Sequence, residues 1–142
     1  MTRTREVLLP VGPEQAFDYF ADPRNRPQWQ SSLRAVVFSG DPADGFGPGT
    51  CWVDVTRPGL RPSMQTTLAV PGERWAETGR WRGFAADLVL AFAPVPTGCS
   101  VAVTFRVRAP RWLPGLGSLL TRAAVPMVVA DVRRAGEILR KR

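Results

Sequence analysis

The chain has 142 residues, enough for one domain with a substantial core and too few for two ordinary ones. With 44% hydrophobic, 9% aromatic and 22% charged residues it sits close to globular averages, which excludes a disordered segment and a coiled coil. The net charge of +7 would suit a polyanionic partner, but the basic residues are nearly all Arg, with Lys141 the single lysine, and they are scattered through the chain.

Residues 5–11 form a short apolar run that predicts a first strand. Gly12-Pro13-Glu14 then opens a helix, because proline suits the first helical position and an acidic residue suits the first turn. Ala16, Phe17 and Phe20 form its apolar stripe, and Asp22-Pro23 ends it, since the residue before a proline is pushed out of helical geometry. Asn25-Arg26-Pro27-Gln28-Trp29 predicts a second brief helix anchored by Trp29.

Strands are predicted over residues 33–39, 50–57, 63–70, 74–81, 84–92 and 100–108. Between them lie Asp41-Pro42-Ala43-Asp44-Gly45, Gly47-Pro48-Gly49, Arg57-Pro58-Gly59, Pro71-Gly72, Arg82-Gly83 and Pro94-Val95-Pro96-Thr97-Gly98, the turn chemistry of an antiparallel meander. Alternation assigns Val101, Val103, Phe105 and Val107 to one face of the last strand, and Leu88, Leu90 and Phe92 to the buried face of the one before it. After Pro110 and Pro114, residues 116–142 read as one long helix containing Pro126. At about 100° per residue, Leu120, Ala124, Met127, Val128, Ala135, Ile138 and Leu139 form its buried side. The terminal Arg140-Lys141-Arg142 complements the negative end of the helix dipole. The order of elements predicts an α+β layout: a curved antiparallel sheet of about seven strands wrapped around a long C-terminal helix, with two short helices after the first strand.

The sequence contains no histidine, which excludes Ser-His-Asp and Cys-His catalysis and every His-dependent metal site. No metal motif is present and no cofactor is expected. Cys51 and Cys99 fall inside strand-like runs, where the simplest expectation is two small buried apolar residues. No stretch approaches the roughly 18 apolar residues of a membrane helix and the first residues lack a secretory signal, so the expected location is cytoplasmic.

Pro13-Glu14-Gln15-Ala16-Phe17-Asp18-Tyr19-Phe20-Ala21-Asp22-Pro23, followed by Pro27-Gln28-Trp29, resembles the N-terminal signature of the START-like polyketide cyclase/dehydrase and lipid-transport (SRPBCC) superfamily. The strand start at Gly98-Cys99-Ser100-Val101 and the long final helix extend the resemblance over essentially the whole chain, as a single domain of residues 1–142. The resemblance implies a helix-grip fold with a deep, mostly apolar cavity between the concave sheet and the terminal helix. Function is left open by it, because that superfamily spans enzymes, carriers and interaction modules.

Strand alternation and helix phase nominate the lining of such a cavity as Phe20, Trp29, Trp75, Trp81, Leu88, Leu90, Phe92, Val103, Phe105 and Met127. Two carboxylates interrupt this apolar pattern. Asp131 falls about 40° from Met127 on the helical projection, and Glu77 alternates in register with Trp75 and Trp81. A carboxylate facing an apolar cavity has its charged form disfavoured and moves toward the acid-base range, which makes Asp131 and Glu77 the catalytic candidates. The alternatives are that Asp131 pairs with Arg134, and that a register shifted by one turns Glu77 to solvent. Arg80, Arg82 and Tyr19 are candidates for polarising a ligand carbonyl at the mouth, and residues 110–114 and 45–49 for mobile rims.

Three functions fit these residues. One is a carrier or sensor of a hydrophobic small molecule such as a lipid, a polyketide or another aromatic compound. Another is a polyketide cyclase/dehydrase-like enzyme using a cavity carboxylate. The third is a basic module binding RNA, the ribosome or an acidic partner, with no DNA expected. A monomer and a homodimer are both compatible with the sequence.

Overall fold

The computed structural model describes residues 3–38 and 45–142. Strand β1 (Arg3–Leu9) leads through α1 (Pro13–Ala21), a 3-10 turn at Pro23–Asn25 and α2 (Arg26–Trp29) into β2 (Leu33–Phe38). Five further strands follow: β3 (Cys51–Thr56), β4 (Ser63–Val70), β5 (Arg74–Trp81), β6 (Phe84–Val95) and β7 (Gly98–Arg108). The chain closes with α3 (Leu116–Arg140). All seven strands form one antiparallel sheet in the order β1-β7-β6-β5-β4-β3-β2, so β1 and β2 are the two edges and α1 and α2 carry the chain from one to the other. Helix α3 packs on β7 and β1 and meets α2, which makes the architecture the expected α+β helix-grip fold. Among the described residues no helix is long and apolar enough to cross a membrane.

Local chemistry explains the joints. Asp22 caps the 3-10 turn by accepting from the Arg24 amide at 3.0 Å. The β5–β6 hairpin turns on Arg82 and Gly83, both with positive φ (46° and 82°), the mirror-image turn whose twist matches the flanking strands. At Gly98 any Cβ would lie 2.1 Å from the Leu9 carbonyl oxygen, so only glycine lets β7 begin against the end of β1.

Several expectations are corrected. β1 runs two residues earlier than 5–11, because Pro10 has no N–H to give the ladder. β6 continues to Val95, so the turn before β7 is shorter than the Pro/Gly cluster implied. Cys51 is exposed on β3, while Cys99 is fully buried. The buried stripe of α3 is Thr121, Val125, Val129, Asp131, Val132, Ala135, Gly136 and Leu139: Ala135 and Leu139 are buried as expected and Val128 and Ile138 pack against the core, whereas in the first half Thr121, Val125 and Val129 take the place of Leu120, Ala124 and Met127. Thr121 can face inward because its hydroxyl donates to the Gly117 carbonyl at 2.7 Å and accepts from the Val107 amide at 2.9 Å. Met127 is 49% exposed. The turn expected at 41–45 and the last residue of the strand expected at 33–39 lie mostly outside the described residues.

Candidate functional site

A cavity of about 270 Å³ opens between the concave face of the sheet and the middle of α3. Trp29, Trp81, Leu88, Phe105, Met127, Glu77 and Asp131 all line it, together with Arg80 and the small residues Gly79, Ala85, Ala86 and Ala124. The register brings its walls together: Glu77 lies opposite Leu88, Gly79 opposite Ala86, Leu88 opposite Phe105 and Ala86 opposite Val107.

Phe20, Trp75, Leu90, Phe92 and Val103, nominated with them, belong instead to the closed core. Trp75, Leu90, Phe92 and Val103 face the same side of the sheet but sit further along the strands, where α1, carrying Phe20, fills the space. Phe20 packs edge-on against Trp29 with ring centroids 4.9 Å apart and lies 6.0 Å from Phe92. Tyr19 is likewise committed elsewhere, its hydroxyl donating to Gln28 Oε1 at 2.9 Å. Arg82 lies over the ring of Trp81 at 5.2 Å and is not on the cavity wall.

The deep wall carries a cluster that sequence reasoning missed. Arg26, on α2, is 1% exposed and sits between Asp54 of β3 and Glu77 of β5, themselves 3% and 4% exposed. Arg26 Nε donates to Asp54 Oδ1 at 3.1 Å and Nη2 to Asp54 Oδ2 at 2.8 Å, the two-pronged geometry that suits a guanidinium and a carboxylate. Trp52 Nε1 donates to Asp54 Oδ1 at 2.9 Å, and Arg26 Nη2 also reaches Gln30 Oε1 at 3.2 Å. The rings of Trp52 and Trp29 flank the guanidinium carbon at 5.1 and 5.9 Å. Both oxygens of Asp54 are thereby engaged.

Glu77 is not. Its Oε2 meets Arg26 Nη1 at 2.8 Å, an ion-pair distance, yet neither atom has an aligned hydrogen bond among the described residues. Two carboxylates share one guanidinium in a buried site. Burial pushes the Glu77 carboxyl above its usual range, Asp54 adds to the push, and Arg26 opposes it. For Arg26, burial works against the charge, but Glu77 and Asp54 outweigh it and hold the group above its ordinary value. Readable signals for the cluster were Asp54 interrupting the run Cys51-Trp52-Val53-Asp54-Val55 and an arginine one turn before Trp29.

Asp131 faces the cavity from α3 and is 7% exposed. It accepts hydrogen bonds from Ser31 Oγ at 3.0 Å and the Ser31 amide at 3.3 Å, in place of an ion pair with Arg134. Burial raises its carboxyl, while Ser31 and the more distant charge of Arg134 draw it back. The site therefore combines apolar walls, a fixed cation and two carboxyls whose charged form burial disfavours, which suits gripping or exchanging a proton with an oxygen on an otherwise apolar molecule. The thiol of Cys99 is raised by burial and stands apart from the cavity wall.

A family model described as "Polyketide cyclase / dehydrase and lipid transport" matches residues 2–142, so the chain belongs to that family. No curated protein sequence matches it. Among solved structures, protein MLL2253 from Mesorhizobium loti is 13% identical with a TM-score of 0.75, 99% of this chain and 98% of that one being covered. Ara h 8.0201 is 10% identical with a TM-score of 0.76, covering 100% and 99%. A START superfamily protein from Mycobacterium smegmatis is 14% identical with a TM-score of 0.72, covering 99% and 97%. At these identities the likeness is one of fold, and family and fold together are consistent with binding a hydrophobic ligand.

Proposed function

We propose that this member of the polyketide cyclase / dehydrase and lipid transport family is a carrier or sensor that holds one compact hydrophobic molecule between the sheet and α3. The observation that carries the reading is the apolar cavity whose deep wall ends in the unaligned Arg26–Glu77 contact. Its volume of about 270 Å³ falls just below the roughly 300–1,000 Å³ typical of ligand sites, which favours a few fused rings over a two-chain lipid. A carbonyl accepting from Arg26 Nη1, or a hydroxyl donating to Glu77 Oε2, would complete the hydrogen bonding there, turning a buried cost into a recognition contact. Native mass spectrometry of the purified protein against its denatured mass tests this: a stoichiometric adduct of an oxygen-bearing ring compound supports it. Absence of any adduct, together with failure to take up a panel of polycyclic ketones and phenols, would sink it.

A second reading rests on the two carboxyls. Glu77 and Asp131 face one cavity and are both raised by burial, the environment of a general acid or base in a cyclisation or dehydration. Turnover of a bound polyketone that is lost in Asp131→Asn or Glu77→Gln, with ligand occupancy retained, would favour the enzyme over the carrier.

A further inference from the structure

Trp112 is 77% exposed, on the connection between β7 and α3. Such a large indole in water is unusual unless something covers it. The connection is tightly built: the Leu113 amide donates to the Pro110 carbonyl at 3.0 Å, and the Leu116 amide to the Leu113 carbonyl at 3.3 Å. Pro110 also packs against the β5–β6 turn, its Cγ 3.1 Å from where a Cβ on Gly83 would lie. Trp81 and Phe84, on either side of that turn, line the cavity, so the connection that carries Trp112 packs beside the cavity-lining turn.

Exposed apolar side chains continue along α3. Leu119 is 61% exposed and Met127, which also lines the cavity, 49% exposed. Ala123, Pro126 and Ala130 share this outward stripe, so the first half of α3 is apolar on the side away from the core as well as on the side against it. Charge on this stretch has one sign. Residues 88–130 contain four arginines and no Asp or Glu. Among the described residues Arg111 and Arg122 are exposed and make no ion pair, whereas Arg108 is held by Asp87 at 2.9 Å.

We infer that this face, Trp112, Leu119 and Met127 framed by Arg111 and Arg122, docks on an anionic lipid bilayer. An indole and aliphatic side chains seat at the headgroup boundary, and flanking arginines meet lipid phosphates. A second copy of the chain fits less well, because a two-fold contact would set arginine against arginine. Nucleic acid would use the arginines and the indole but has no use for the aliphatic stripe. With Met127 on both the docking face and the cavity wall, docking sets the cavity mouth toward the lipid; that consequence rests on the ligand-binding reading above, whereas docking itself does not.

The test is co-sedimentation with phosphatidylcholine vesicles with and without phosphatidylserine. Binding is expected to need phosphatidylserine and to weaken steeply with salt. Trp112→Ala should lower partitioning by about tenfold, and Arg111→Ala and Arg122→Ala by about fivefold each. No binding to phosphatidylserine vesicles at low salt overturns the inference, as does binding that Trp112→Ala leaves unchanged. Preferential capture of RNA over these vesicles, insensitive to Trp112→Ala, would assign the face to nucleic acid instead. Trp112 lies outside the cavity, so cavity occupancy in Trp112→Ala, read by native mass spectrometry, separates failure of docking from failure of ligand binding.

Discussion

Strands β6 and β7 turn one face toward the helices, yet one stretch of it closes into solid core and the other encloses a cavity. Toward the α1 end, Leu90, Phe92, Val101 and Val103 meet Phe17 and Phe20 and leave no space. Toward the α3 end the positions pointing the same way are Ala86 and Val107, with Gly79 and Ala124 nearby, and the gap remains open. Alternation with a period of two selects a face; the size of the side chain at each level decides whether that face is filled.

The sharpest way to break the comparison is to remove one charge from the cavity's deep wall. Arg26→Met strands Asp54 and Glu77 in a buried site and is expected to cost about 3–5 kcal/mol at neutral pH, read by urea unfolding. Phe20→Ala, in the closed half, is expected to cost a similar ~3–5 kcal/mol through a void that Trp29 and Phe92 cannot refill. The two differ in their dependence on pH: the first is relieved as acid neutralises the carboxylates, and the second is not.

A smaller effect concerns Asp131. Its native pKa is raised, so the folded state holds the proton more tightly than the unfolded chain does. Stability is therefore greatest below the ordinary carboxylate range and falls as pH rises through the raised native value. Wild type should lose stability relative to Asp131→Asn across that window by up to about 1.4 kcal/mol per pH unit, and stay parallel to it at lower pH. Unfolding curves of the two proteins from acid to neutral pH check this; parallel behaviour throughout would remove the burial argument.

Filling the open half separates binding from folding. Ala86→Phe should abolish ligand occupancy while changing stability by no more than about 1–3 kcal/mol, since the new ring enters existing space. Least of all is expected from the exposed pair of Arg140 and Glu137: Arg140→Ala should fall within about 0.5 kcal/mol of wild type in the same unfolding assay.

Sequence alone determined the seven strands, the two short helices and the long terminal helix, because Pro and Gly clusters and apolar periodicity are local signals. It also marked Glu77 and Asp131 as carboxylates on apolar faces, and the structure sets both against the cavity. The phase of α3 was not legible: residues 116–130 are apolar around most of the helix, so no stripe stands out until β7 supplies partners for Thr121. Nor was the division between core and cavity, which depends on how far along the strands α1 and α3 come to rest. Arg26 and Asp54 lie 28 residues apart, on a short helix and on a strand, and only the folded chain makes them a pair. A long-range contact of that kind carries no periodicity, and burial alone turns two ordinary surface-type charges into a fixed wall of the site.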